Sequence, residues 1–326
     1  MEFQVEVKPV FYVTGINPDT PFLGSDVEGN SLFIRLTDES TLRPMDFLVV
    51  VDMNRDSKRL IEQYKLEPKR CILIRQEPHV VCPANYSAAT ISLFGKIVDV
   101  GRVRPESTLS IPCPQVWPET LPDPGSLQDR NISTPVLMNA NKMSFIRGEL
   151  YSLRREIIHQ QAVDLYGPRW DSKGLSRMKT LGGELAICLR AFRAPTAKSL
   201  AKWFRPHPRY MGLATDKIDV YSRYKVVLAI ENSQEYMSEK LLDAVFAGCI
   251  PVYVGPPLDI FGIPESLVVQ SEPNPGAIAS AIEIAKAMDY PLWFDEAIAY
   301  LRDAKVVDFW SPRRISALVS AHVRYE

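Results

Sequence analysis

The sequence predicts a two-domain α/β protein built on parallel strands. Three observations carry this. The chain has 326 residues, and at about 150 residues per domain that length fits two domains, one large α/β domain being the other option. The second half alternates helical patterns with short runs that are apolar throughout, as strands buried on both faces of a parallel sheet are. Between the halves, residues 101–134 hold Pro112, Pro114, Pro118, Pro122 and Pro124. That stretch reads as the connection between domains.

In the first half, Val5–Val13, Ser31–Leu36, Phe47–Asp52, Cys71–Arg75 and Lys96–Val100 are β-branched runs of strand length. A helix is predicted near Asp56–Lys65, where Leu60, Ile61 and Tyr64 share one face. In the second half, strands are predicted at Val136–Asn139, Val163–Tyr166, Tyr224–Ile230 and Ile250–Val254. Helices are predicted at Ser144–His159, at Ser238–Ala247 with Ser238 as cap and Gly248 past its end, and at Pro275–Met288. Two more fill Leu292–Ala304 and Pro312–His322. Residues 168–215, rich in Arg, Lys, Gly and Pro, carry no clear period. This order implies a doubly wound domain, in which ligands sit at the carboxyl ends of the strands.

Composition excludes several classes. Hydrophobic residues are 46% and charged residues 24% of the chain, which rules out global disorder. Lys and Arg number 38 against 39 Asp and Glu, a net charge of −1. A chain so balanced is no bulk electrostatic binder of nucleic acid or anionic membrane. The five Cys are scattered with no CxxC, which argues against a disulfide framework and a zinc site. The opening MEFQVEVKPVFYV has no basic n-region before an apolar stretch, and no segment approaches the ~18 apolar residues of a membrane span. The expected location is cytoplasmic. The sequence has no Asp-x-Asp, HExxH, P-loop, GxGxxG or GxSxG. The basic run Arg190–Arg209, with Phe192, Trp203 and Phe204 among its charges, reads as a solvated face, an acceptor loop or an RNA patch.

The most informative stretch is YKVVLAIENSQEYMSEKLLDAVFAGCIPVYVG, residues 224–255. A buried strand ends in Glu231-Asn232-Ser233, and Ser238-Glu239-Lys240 opens a helix. Charges are therefore crowded at strand and helix ends, where a helix terminus and Lys240 favour an anion. A carboxylate such as Glu239 suits a ribose diol, which needs acceptors. Simple capping by Ser238 and Glu239, with Lys240 solvated, is the plainer reading of the same residues.

This stretch resembles the signature of family 10 glycosyltransferases, the α-1,3/4-fucosyltransferases. The match runs through Tyr224-Lys225, Glu231-Asn232-Ser233, Tyr236-Met237-Ser238-Glu239-Lys240 and Pro251-Val252-Tyr253-Val254-Gly255. The gap between Asn232 and Tyr236 is shorter than the family's, and Ser238 stands for a Thr. Upstream, Ala140-Asn141 and Arg147-Gly148-Glu149-Leu150-Tyr151 are similar to the family's Ser-Asn and Arg-x-x-(Leu/Phe)-Tyr, and Val163–Gly167 to its Val-Asp-Val-(Tyr/Phe)-Gly strand. In the first half, Gln76-Glu77-Pro78-His79 resembles the family's Glu-Ser-Pro, without its middle residue.

The resemblance implies a GT-B type α/β fold, two Rossmann-like domains facing each other across a cleft. Residues 1–134 would form the acceptor side, with the terminal helix 305–326 crossing back to join it, and 135–304 the sugar-nucleotide side. It implies inverting transfer of a sugar, L-fucose from GDP-β-L-fucose, to a hydroxyl of a glycan acceptor. Glu77 would be the catalytic base. Asn141, Arg147, Tyr224, Lys225, Glu231, Asn232, Ser233, Tyr236, Glu239 and Lys240 would bind the donor. His79 would contact the acceptor, or rival Glu77 as base. No cofactor or metal is implied, since Arg147 and Lys240 would stabilise the leaving diphosphate. The expected partners are the nucleotide sugar and the glycan, with no nucleic acid and with room for peripheral membrane contact through a lipid-linked acceptor. Another nucleotide-sugar donor, or a non-catalytic binding protein that kept the donor motif, are the alternatives.

Overall fold

A computed structural model describes residues 10–16, 33–37, 42–43, 45–123, 130, 133–170, 207 and 209–324. The chain divides into two compact units, Met1–Val116 with Val307–Glu326, and Trp117–Val306. Among the described residues each unit carries one six-stranded sheet, and the strand pairs in both are parallel.

The first unit contains β1 Phe11–Gly15, β2 Phe33–Arg35, β3 Phe47–Val51, β4 Cys71–Arg75, β5 Lys96–Val100 and β6 Leu109–Ile111. Their order is β2-β1-β3-β4-β5-β6. Every residue of β3 and β4 is buried, because helices cover both faces. Alternate residues point to opposite sides of a strand. Leu48, Val50 and Leu73 therefore meet Ile61 of the helix Arg55–Tyr64. Val49, Val51, Ile72 and Ile74 meet Ile315, Val319 and Val323, one stripe of the C-terminal helix Pro312–Arg324. The helix at 55–64 starts where Asn54 accepts from Ser57 N and stops where Lys65 turns left-handed. The first strand runs later than predicted, to Gly15, and residues 5–9 lie outside the described part. β6 lies inside the Pro-rich stretch, where the sequence predicts no strand. From Trp117 that stretch belongs to the second unit: Trp117 Nε1 donates to Leu301 O at 3.1 Å, and its ring meets Phe246 edge-on at 4.8 Å.

The second unit contains β7 Val136–Met138, β8 Asp164–Tyr166, β9 Tyr210–Gly212, β10 Val226–Ile230, β11 Ile250–Val254 and β12 Val269–Gln270, in the order β12-β11-β10-β7-β8-β9. The chain builds outward from β7 through β8 to β9, then returns to the other side of β7 for β10. A crevice opens at such a reversal, outside the carboxyl ends of the strands. Here it lies between β7 and β10.

Two helices begin later than predicted. The helix expected from Ser144 starts at Tyr151, because Glu149 bridges to Ser233 and Leu150 N donates to Asn232 O, 3.0 Å away. The helix expected from Ser238 starts at Lys240. Pro275–Ala287 and Tyr290–Arg302 follow Asn274 and Asp289, whose side chains cap them. Of the basic run 190–209, residues 190–206 and 208 lie outside the described part, and Arg209 pairs with Asp164 at 2.7 Å. Among the described residues no helix is long and apolar enough to cross a membrane.

Gly167 turns the chain after β8 with φ +127°, and a Cβ there would stand 2.3 Å from the Asn139 carbonyl oxygen. Gly167→Ala combines that overlap with a backbone region closed to alanine. It should destabilise the second unit by about 1–3 kcal/mol, read as a melting temperature several degrees lower in calorimetry; an unchanged melting curve would refute the β7–β8 approach.

Candidate active site

The carboxyl ends of β7 and β10 gather most of the residues that the sequence singles out. The loop after β10 is held from several sides. Gln234 N donates to Gly148 O at 3.2 Å, and Leu150 N and the Glu149–Ser233 bridge tie the 146–150 turn to the same loop. Arg147 projects from that turn, exposed, and makes no ion pair among the described residues. A guanidinium in that setting keeps its donors available for phosphate oxygens.

Glu231 builds this loop rather than facing a ligand. It is fully buried. Its Oε1 accepts from Ser238 N at 2.8 Å, and its Oε2 accepts from Ser238 Oγ at 2.7 Å and lies 3.3 Å from Lys240 Nζ. Ser238, predicted to cap the helix, is instead drawn to Glu231, and Lys240 Nζ donates back to Ser238 Oγ at 2.7 Å. Lys240 is thus a paired cation with one remaining N–H. Gly255 permits this arrangement: a Cβ there would stand 2.3 Å from Tyr253 Oη and 2.9 Å from Glu231 Cγ.

Beyond Lys240, Glu239 is half-exposed and receives Lys217 Nζ on Oε1 at 3.2 Å. The same ammonium reaches Asp243 Oδ2 at 2.5 Å. Burial works against the charge on Glu239, but Lys240 and Lys217 outweigh it and bring its pKa down to about 2. Asp243 moves the other way, raised chiefly by burial, with Glu239 adding to it. Asn232 and Ser233 stay in the loop with Tyr236, which is buried. Asn141, after β7, is buried, donates through Nδ2 to Arg169 O at 3.1 Å, and keeps an Oδ1 with no hydrogen-bond partner.

Tyr224 and Lys225 stand elsewhere, at the opposite end of β10 from Glu231. They precede β10, at the amino end of the sheet, about 17 Å from its carboxyl end at 3.3 Å per residue. Tyr224 Oη donates to Asp164 at 3.1 Å. Lys225 Nζ donates to Lys286 O and Met288 O at 2.6 and 2.9 Å. These carbonyls end the helix Pro275–Ala287, where a cation is favoured by the helix dipole.

Sequence reasoning misses three residues here. Arg154, buried, donates to Ile230 O at 2.5 Å and to Asn232 Oδ1 at 3.1 Å; burial lowers its pKa to about 10. Lys217 is the second. Neither lies in a motif. The third, in the first unit, is Asp52. It takes φ 57° at the end of β3 and accepts from Gln76 N, Glu77 N and Asn85 Nδ2 at 3.0, 2.9 and 2.7 Å. An Asp closing an all-apolar strand is the available signal.

Asp52 sets the backbone of Glu77 at the carboxyl end of β4. The Glu77 carbonyl accepts from Tyr86 Oη at 3.0 Å and from Arg102 at 3.2 Å. Its side chain is half-exposed. His79 is exposed and lies against Tyr86, ring centroids 5.0 Å apart. Beneath them Arg75 and Asp99 form a buried two-bond ion pair at 2.8 and 2.5 Å, which Arg102 joins at 2.9 Å.

No protein-family model matches the chain. A fucosyltransferase-like protein of Arabidopsis thaliana is 48% identical over 44 residues, 13% of this chain and 9% of that relative. The match thus spans under a tenth of the relative's length. Among solved structures, an α1,3-fucosyltransferase with GDP superposes with a TM-score of 0.54 at 12% identity, covering 100% of this chain and 94% of that one. A glycosyltransferase of Rickettsia africae gives 0.50 at 10% identity over 98% of both chains. A UDP-forming trehalose-phosphate synthase of Burkholderia vietnamiensis gives 0.50 at 11% identity, over 87% of this chain and 72% of that one. These likenesses are of fold: the chain has the GT-B type α/β fold. They agree with the family 10 resemblance of the 224–255 motif.

Glu231→Gln should cost on the order of 3 kcal/mol, because it leaves Lys240 without its buried counter-ion and offers one acceptor where two are used. Urea unfolding of the two proteins checks this; equal midpoints would show that the carboxylate does not hold the loop.

Proposed function

We propose that this chain is a glycosyltransferase of the inverting, metal-independent kind, moving L-fucose from GDP-β-L-fucose to a glycan hydroxyl. One observation carries the reading. The exposed guanidinium of Arg147 is tied through its own turn to the Asn232–Ser233 loop, which Glu231 links to Lys240, at the reversal point of the second sheet. Two cations with free N–H groups at such a crevice suit a diphosphate. Glu239 beside them suits the ribose. The whole-chain likeness to an α1,3-fucosyltransferase structure with GDP supports guanine as the base.

In this reading the acceptor hydroxyl attacks the anomeric carbon from the face opposite the diphosphate. Glu77 takes the hydroxyl proton, the C–O bond to the diphosphate breaks, and an α-L-fucoside forms. Arg147 and the third N–H of Lys240 stabilise the charge that grows on the leaving group, the work a divalent ion does in enzymes with Asp-x-Asp. His79 lies two residues from Glu77 and serves the acceptor.

Arg147→Ala is the clean test of the diphosphate site, since Arg147 holds no other described side chain. GDP affinity should fall about 10–150-fold, the loss of one charge-assisted hydrogen bond. Lys240→Ala should weaken binding similarly but also strands the buried Glu231, so its melting temperature should drop as well. Titration calorimetry in chelator decides; unchanged affinity in both variants, or wild-type binding that vanishes with chelator, would refute the site.

Glu77→Gln keeps the shape of the base but cannot take a proton. Turnover with GDP-fucose should fall roughly 10²–10⁴-fold with GDP affinity unchanged, and His79→Asn should cost much less. A folded but dead His79→Asn beside an active Glu77→Gln would transfer the base role to His79.

A further inference from the structure

The loop after β10 has a second layer that no motif records. Lys217 opens the short helix Lys217–Tyr221, whose cap is Asp216. Its ammonium bridges Glu239 Oε1 at 3.2 Å and Asp243 Oδ2 at 2.5 Å. Lys217 is 35% exposed, Glu239 44% and Asp243 16%. The bridge therefore sits under a carboxylate that still reaches solvent.

Glu239 and Asp243 are one helical turn apart and carry like charges, which repel at that spacing. Lys217 and Tyr221 face Glu239 from the preceding helix, and Lys240 and Asp243 from its own side. Tyr221 is buried and holds its proton, its pKa raised well above the ordinary value by burial first and by the nearby carboxylates. Lys240 is shared with Glu231. Lys217 is thus the cation that contacts both Glu239 and Asp243, with Lys240 adding to its effect on each.

We propose that Lys217 is the positioning residue of the donor site: by bridging Glu239 to Asp243 it holds Glu239 as an oriented carboxylate that accepts both hydroxyls of the ribose diol of a nucleoside diphosphate. The inference rests on the proposed donor site. A diol needs two acceptor positions on one carboxylate, and a protonated carboxyl supplies a donor in place of one of them. Without Lys217 the repulsion from Asp243 and the burial act on Glu239 with only the shared Lys240 against them. Its folded pKa then rises from about 2. With Lys217 in place, ionised Glu239 is complete above its ordinary pKa and lost only as pH falls toward 2.

The test compares GDP and 2′-deoxy-GDP by titration calorimetry at pH 7.5 and pH 5. Wild type should prefer GDP by about tenfold or more, and by the same factor at both pH values. Lys217→Met should lose most of that preference, bind GDP several-fold more weakly, and lose more of the preference at pH 5. Lys217→Arg, which keeps the charge, should restore both. The double variant Lys217→Met/Asp243→Asn removes the repulsion together with the cation. It serves if the single variant folds poorly, and its preference should be reduced but no longer change with pH. A Lys217→Met or double variant with the full preference for GDP overturns the positioning role and leaves the donor site standing. A wild type that binds GDP but ignores the 2′-hydroxyl overturns the role of Glu239 and this inference with it. A wild type that binds neither nucleotide overturns the donor site itself.

Discussion

The second unit's site depends on one buried carboxylate. Glu231 is fully enclosed at the end of β10, where an unpaired charge would be very costly. It is tolerated because Ser238 donates twice to it and Lys240 lies at 3.3 Å. Those bonds fix the course of the chain after the strand. They bring residue 238 back to the strand it left seven positions earlier, and they set where the helix at Lys240 begins. They also decide which way Glu239 faces, since it is held between two residues that Glu231 anchors. Arg154 adds a second clamp, on the Ile230 carbonyl and on Asn232. The first unit repeats the device with Asp52, which collects the backbone of Gln76 and Glu77 at the end of β4. Both sheets thus hold the loops at their carboxyl ends with an inward-facing acid.

Much of the fold is legible in the sequence, for a simple physical reason. A strand covered on both faces must be apolar at every position, so FLVVV and IPVYV announce themselves. Strands at the edge of a sheet need not obey this. β6, β9 and β12 are two or three residues long and have no interior to fill, so Leu109–Ile111 blends into a Pro-rich connection. Periodicity starts the helix before β8 too early because Ser144–Leu150 has a helical pattern, while its backbone is committed to the loop after β10. That commitment is a tertiary bond, invisible to periodicity.

The site is legible in part. Motif spacing finds Glu231, Asn232, Glu239 and Lys240, because they are close in sequence. It cannot find partners brought in by the sheet. Arg75 ends an apolar strand and has the look of a solvated terminus; only the register that sets it opposite Asp99 shows a buried ion pair. Lys217 is distant in sequence from Glu239, and nothing in its own neighbourhood marks it.

The Tyr224-Lys225 pair shows that one motif can span both ends of a strand. Its residues group in sequence with the proposed donor-binding residues because they belong to the same signature as Glu239 and Lys240. A parallel strand has two ends, however, and only one opens on the crevice. Tyr224 is held by Asp164, and Lys225 closes the last carbonyls of the helix Pro275–Ala287. Glu231, too, is wholly internal. A signature of this kind therefore mixes residues that build a loop with residues that the loop presents. Burial separates them: Tyr224, Lys225 and Glu231 are enclosed and bonded, whereas Arg147 and Glu239 reach solvent. That second group is the part of the signature region open to a ligand. Its charges are one guanidinium and one carboxylate held ionised by two lysines, the pair that the proposed function sets against the phosphate and hydroxyl ends of a nucleoside diphosphate.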